Sequence, residues 1–230
     1  MEALHEVLLM DVFVKPEVIP HNVTYGLLAT LILIGVALAV RASISLVPRG
    51  IQNFVEIIIE AMLKLVEENI GHKWGRQVFP FICTIFIFIL VCNFMGLIPG
   101  FASATANVNT NAAMALPVFL TYQFYGFRIH GVKYIYHFLG PIRSIVALPL
   151  MILMFVVELI SHIARPFTLT IRLFGNMTAK HVLLLILALI APWIVPSLIL
   201  MLGVLVAVVQ AYVFTLLSTC YFAGAVEEAH

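Results

Sequence analysis

The sequence predicts an all-α polytopic membrane protein: five membrane-crossing helices plus one surface amphipathic helix, with the last two helices forming a long tilted hairpin. Three observations carry this expectation. Hydrophobic residues make up 63% of the 230 positions and charged residues only 10%, against about 25% charged in an ordinary soluble domain. Apolar runs long enough to cross a bilayer recur along the chain. The stretch 145–190 is mostly apolar with breaks only at Pro149 and Pro166; as a helix it reaches about 70 Å, more than twice the roughly 30 Å of a bilayer core. A single perpendicular crossing is therefore impossible, and no polar turn near Arg165 and Pro166 divides the stretch in two. A steeply tilted, bent helix fits best.

In chain order, residues 1–22 read as an external tail in which Glu2, Glu6, Asp11 and Glu17 outnumber Lys15 and Pro16 and Pro20 act as breakers. An acidic start is unlike the basic start of a cleaved leader, so none is expected. The first span is 23–40. From 50 to 70, Glu56, Glu60, Lys64, Glu67 and Glu68 alternate with apolar residues at helical spacing, the pattern of a helix lying on a surface or docked on its neighbours. The second span, 80–98, carries Asn93 and closes at Pro99-Gly100. The loop 101–111 has no charge and is rich in Ser, Thr and Asn, which suits a water-facing vestibule. A third span follows over 112–127, interrupted by Pro117. After a basic connection comes the hairpin, 144–230, whose halves 145–190 and 197–225 turn at Pro192 and Pro196. The expected organisation is thus tail 1–22, three spans with the amphipathic helix over 23–143, and hairpin 144–230.

Loop charge sets the orientation. Arg41, Arg49, Lys64, Lys73 and Arg76 lie between spans one and two, and Arg128, Lys133 and Arg143 between three and four, while the other connections have almost none. Five crossings with the N-terminus outside and Glu227 and Glu228 inside place both basic groups on the cytoplasmic side.

Several function classes fall away. No basic run or aromatic platform points to nucleic acid. Cys83, Cys92 and Cys220 show neither pairing nor CxxC spacing, so no redox or metal framework is expected. No HExxH or GxSxG motif supports an intramembrane hydrolase. No cofactor is called for.

What remains is a stretch of fixed charge, RPFTLTIRLFGNMTAKHV over 165–182, which sets Arg165, Arg172 and Lys180 inside an apolar run. An Arg or Lys at a helix centre costs roughly 2.5–3.5 kcal/mol on insertion scales, and intramembrane ionisable residues are functional candidates by default. The nearest intramembrane acid is Glu158 alone, so either water or a carboxylate from another subunit must complete the balance. At 100° per residue, Glu158, Arg165 and Arg172 are heptad-spaced, and Ser161, Thr168 and Asn176 fall within about 40° of Arg172. Lys180 and His162 sit about 80° off this stripe, and His181 points to the opposite side. For Arg165 and Lys180, snorkelling to an interface is an equal reading; Arg172 lies too deep for that. Arginine does not deprotonate at working pH, so in a proton path it is a barrier or counter-ion and not a relay. Glu158, His162 and His181 titrate. Asn93, Asn176, Gln210 and the hydroxyls orient water. Together they suggest two aqueous half-paths that do not meet.

The same stretch, with IRLFGNM as its most specific part, resembles the signature of subunit a of the rotary F-type ATP synthase. The resemblance extends over nearly the whole chain, through NFMGLIPG at 93–100, NVNTNAAMAL at 107–116, Gln210 and the acidic C-terminal end. It implies a non-catalytic stator subunit of the bacterial inner membrane, standing beside a ring of c-subunits with membrane carboxylates and working with the b-subunit stator, other ATP synthase subunits and lipid. It further implies that Arg172 is the essential arginine, with Asn176 and Gln210 beside it, Asn93 on the external side, and Glu158 with Ser161 on the internal side. Where the best-known bacterial pattern has a glutamate and a histidine, this chain has His181 and Gly203, with Lys180 beside His181. Gly203 leaves room that Lys180 could fill on the facing helix, as in the lysine and glycine variants of some alkaliphile enzymes. The alternative, a self-contained ion channel or secondary transporter, needs more intramembrane acids or a second broken helix than the sequence contains.

Overall fold

The computed structural model describes residues 20–45, 47–98, 101–131, 134, 148–190 and 194–226. Most of the expected external tail, the connection around 135–147 and the C-terminal 227–230 lie outside the described residues. The described residues form six α-helices and one short 3₁₀ turn, with no strand among them. The helices are α1 (His21–Ala42), α2 (Ile51–Ile70), α3 (His72–Met95), α4 (Val108–His130), α5 (Leu148–Ile190) and α6 (Ile194–Val226), and the 3₁₀ turn is Ala104–Ala106. In an apolar solvent every backbone N–H and C=O must be paired within the segment, which is why long apolar runs resolve into helices.

Four of these, α1, α3, most of α5 and most of α6, are long and apolar enough to cross a membrane. The fifth expected crossing is α4. Its 23 residues span about 35 Å, but Asn109, Asn111, Gln123, Arg128 and His130 make it less apolar, and it packs between α5 and α6. The surface helix is α2, as the spacing predicts. It buries Met62 and Val66 against its neighbours while Glu56, Glu60, Lys64 and Glu68 stay exposed.

One core unites α2 to α6: Val66, Ile82, Phe86, Val118, Tyr122, Leu173, Phe214 and Phe222 pack into it. By contrast, α1 stands apart, burying only Tyr25 and Ala29 against Cys92, Met95 and Ala104 and turning Leu27, Leu31 and Leu38 outward. That exposure suits a lipid solvent.

Three helices run through a proline that would be expected to break them. Pro80, Pro117 and Pro166 all lie inside helices, whereas the sequence reading begins the second span at Pro80. In each case the threonine four residues on donates its hydroxyl to the proline's carbonyl: Thr84 to Pro80 at 2.7 Å, Thr121 to Pro117 at 2.6 Å and Thr170 to Pro166 at 2.8 Å. Such back-bonding bends a helix without ending it, and proline is tolerated where local adjustment of this kind is available. Thus α5 continues through Pro166 for 43 residues, about 65 Å, one long helix without a break as the sequence predicts.

The corner between α2 and α3 is a single residue, Gly71, at φ 87° and ψ 160°, a region that only glycine occupies readily. Across it Arg76 Nε donates to Glu67 Oε1 at 2.7 Å and His72 Nδ1 lies 3.0 Å from Oε2. The Arg76 bond holds the Glu67 carboxyl below its ordinary value. A Cβ on Gly71 would meet nothing within 4 Å, so Gly71→Ala isolates backbone strain. A loss of about 1–3 kcal/mol is expected, read as a lower melting temperature of the detergent-solubilised protein. Gly35→Ala, in an open helical position, should leave it unchanged or slightly raised.

Candidate functional site

The site is built on the α5–α6 pair, and three contacts fix its register. The Arg165 guanidinium lies 5.0 Å from the Tyr221 ring centroid, Asn176 Nδ2 donates to Gln210 Oε1 at 2.6 Å, and Gly203 faces Lys180. As the α5 numbers rise the α6 numbers fall, so the helices are antiparallel, as a hairpin requires.

Around Arg172 the helix turns outward. Arg172, Thr168, Gly175 and Asn176 are all exposed, among exposed Phe167 and Ile171, and Arg172 makes no hydrogen bond or ion pair among the described residues. Directly behind it Leu173 and Leu169 are buried in the core. A fixed cation thus stands on an apolar outer face with an amide one turn away, and Asn176 is held there by the buried Gln210.

The predicted polar stripe divides here. Arg165, seven residues earlier, turns inward between the rings of Tyr122 and Tyr221, 5.9 Å and 5.0 Å from their centroids. With Arg165 half-buried, cation–π contacts of this kind are worth about 0.5–2 kcal/mol. Its guanidinium is 3.8 Å from Glu158 Oε1, and His162 Nε2 lies closer to that oxygen, at 3.3 Å. On the far side of the imidazole, Nδ1 is 3.3 Å from the Tyr122 hydroxyl and 3.5 Å from Gln123 Nε2. The difference lies in the neighbours: α4 and α6 bring Tyr122 and Tyr221 to Arg165, while beside Arg172 the outer face carries exposed Phe167 and Ile171. Ser161 is half-buried nearby.

Toward the other end of α5, Lys180 is buried at 8% exposure and its Nζ reaches no hydrogen-bond partner among the described residues. A Cβ added to Gly203 would stand 3.4 Å from Lys180 Cδ and 2.7 Å from Leu97 Cδ2. Lysine and glycine are therefore facing neighbours, as the sequence predicts, with Leu97 as a third wall that it does not. His181 is half-buried and does not face this glycine.

Asn93 is completely buried, and both ends of its amide are committed. Its Nδ2 donates to the Ala207 carbonyl at 3.2 Å, and Thr105 Oγ1 donates to its Oδ1 at 2.7 Å. Ser103 Oγ is 2.7 Å from Thr105 Oγ1 and donates to the Cys92 carbonyl at 3.2 Å, while Asn111 Nδ2 donates to the Thr105 carbonyl at 2.9 Å. Ser103, Thr105 and Asn111 are all buried, so this part of the uncharged loop folds inward as a hydrogen-bonded knot instead of facing water. Composition does not distinguish the two outcomes, because hydroxyls and amides satisfy one another as readily as they bind water. Tyr122 and Gln123 escape sequence reasoning, lying on a helix whose pairing with α5 no spacing rule predicts, whereas Tyr221 shares a face of α6 with Gly203 and Gln210 by helical spacing. His162 was legible: it stands one turn after Glu158.

The family model described as ATP synthase A chain matches residues 23–223. The chain belongs to this family. It is 47% identical over 209 residues to ATP synthase subunit a 1 of Syntrophotalea carbinolica, covering 91% of this chain and 87% of that one. Against ATP synthase subunit a of Solidesulfovibrio magneticus it is 43% identical over 222 residues, covering 96% and 90%, and against that of Geobacter sulfurreducens 43% identical over 208 residues, covering 90% and 88%. Within the ATP synthase A chain family, the Lys180–Gly203 contact offers a direct test. Gly203→His must displace Leu97 and press on Lys180, and proton pumping by the assembled complex should fall. Adding Lys180→Gly should restore part of the loss, with a non-additive term of about 0.5–3 kcal/mol; the Leu97 wall keeps the rescue incomplete. Pumping rates across pH for the single and double variants measure it, and strict additivity would refute the contact's role.

Proposed function

We propose that the chain is the stator subunit a of the Fo motor of a rotary ATP synthase, providing two offset half-channels for proton translocation against a rotating c-ring. It is a non-catalytic membrane subunit on this reading, the ATP chemistry belonging to other subunits, with the b-subunit as its stator partner. The observation that carries the reading is the outward Arg172, unpaired among the described residues, between two separate polar clusters of the same hairpin.

On this reading each part has a role. Glu158 and Ser161 lie 14 and 11 residues before Arg172, about 21 and 16 Å along the helix axis, toward the basic connection assigned to the cytoplasmic side. Asn176, Lys180, His181, Gly203 and Gln210 lie on the other side of Arg172, toward the external face, with Asn93 and its knot bracing α6 three residues from Gln210. On this reading a proton passes from one cluster to the other only by way of the ring. A carboxylate on the ring is neutral while it passes through lipid and ionised when it meets Arg172, because an opposite charge within about 4–6 Å favours the charged form. Protons therefore load on one side of Arg172 and leave on the other, and a full turn of the ring connects them. On this reading the carboxylate that Arg172 lacks is supplied by the ring.

Loss of the cation removes the barrier. Moving one elementary charge across 100 mV releases about 2.3 kcal/mol, and a direct leak dissipates it without rotation. Arg172→Ala should abolish proton-driven ATP synthesis in vesicles carrying the assembled complex. Synthesis at the unsubstituted rate would refute the assignment.

A further inference from the structure

We propose that His162 is a proton-carrying residue of the internal half-channel, working as a coupled pair with Glu158 and filled from the Tyr122 side. This rests on the reading of Glu158 as an internal-path residue. Three features of the geometry support it. First, Glu158 Oε1 has two cationic or titratable neighbours, and the imidazole is the nearer, at 3.3 Å against 3.8 Å for Arg165. Second, the exposures are graded: the His162 side chain is 9% exposed and that of Glu158 is 31%, so the carboxylate stands at the open edge and the imidazole behind it. Third, the second ring nitrogen is engaged by Tyr122 Oη at 3.3 Å and Gln123 Nε2 at 3.5 Å, and Gln123 Oε1 accepts from the Tyr134 hydroxyl at 2.7 Å. Polar atoms therefore continue from Glu158 through His162 and α4 to Tyr134, just beyond the end of α4.

Imidazole is the side chain suited to this position. It takes a proton on one nitrogen and releases one from the other, and it titrates near neutral pH. In the inward-loading direction Nδ1 accepts a proton from the internal side, giving an imidazolium beside the Glu158 carboxylate. The Nε2 proton then passes to Glu158 Oε1, leaving a neutral imidazole with its proton on Nδ1, and a tautomer exchange resets the ring. One proton enters and one leaves, and the reverse order serves the opposite direction. Among the described residues, the groups facing His162 include Glu158 and Arg165 on its own helix, Tyr122 with the neutral Gln123 on α4, Tyr134 beyond α4, and Tyr221 on α6 next to Arg165. The 3₁₀ turn, which also packs on α5, contributes no titratable group. Arg165 is the fixed cation of the set, and its tyrosine clamp keeps it within reach of Glu158 in both states of the imidazole.

The test uses the assembled ATP synthase in inverted vesicles, with the internal face outward and its pH varied between about 5.5 and 8.5, the range spanning imidazole titration. His162→Gln retains hydrogen-bonding groups and removes the titrating ring. ATP-driven pumping should fall several-fold and lose its titration step near neutral pH. Tyr122→Phe, which removes only the hydroxyl against Nδ1, should shift that step while the complex assembles normally, so the proposal stays open to refutation where His162→Gln assembles poorly. An unchanged rate and pH profile in either assembled variant would overturn the relay. If Glu158→Gln impairs pumping while His162→Gln does not, the relay alone fails and the internal path stands. If Glu158→Gln pumps at the full rate, both fail.

Discussion

The constraint on which the molecule turns is the unbalanced charge of Arg172. Its guanidinium cannot shed its proton, it stands on an apolar outer face, and no carboxylate among the described residues reaches it. An unpaired cation in such a place costs roughly 2.5–3.5 kcal/mol, a large fraction of the net stability of an ordinary domain. Among the described residues nothing balances this charge, so water or a carboxylate of another subunit has to, and the proposed stator role takes the second course. Arg165 makes the contrast. Seven residues away on the same helix, it has a carboxylate and two aromatic faces within reach, and so needs no second subunit.

The long antiparallel pair turns this local imbalance into a device. A helix of 43 residues cannot stand upright in a bilayer, so it must tilt or bend, and Pro166 with Thr170 gives it a place to do so. A tilted helix spreads its polar groups across the depth of the membrane while keeping one outer face for a neighbour. The α6 side chains then complete each cluster: Tyr221 beside Arg165, Gln210 beside Asn176, and Gly203 making room for Lys180. The core shared by α2, α3 and α4 holds the pair from behind, and the Asn93 knot ties α3 and the polar loop to the α6 backbone at Ala207.

Much of this was legible because membrane helices follow strong rules. Apolar runs, the mixed charge of 51–70 and the length of α5 required no tertiary information. The Lys180–Gly203 facing was legible only through the resemblance, whose common pattern has a glutamate and a histidine at the positions of His181 and Gly203. What spacing did not reveal has a common cause. The heptad from Glu158 to Arg172 implied one stripe, but the neighbouring helices divided it into an inward Arg165 and an outward Arg172. The 101–111 loop looked solvated because its polar groups are uncharged, yet their mutual hydrogen bonds bury them. Tyr122 and Tyr221 became site residues only through packing.

The central claim is that the chain holds two half-channels that do not meet without the ring. Proteoliposomes containing the purified chain, and others containing the chain with its c-ring, can be compared for proton flux under an imposed membrane potential. The account predicts no flux above that of empty liposomes for the chain alone, and flux once the ring is present. Proton conduction by the chain without the ring would contradict it, and would make the polar groups of the hairpin a complete channel in their own right.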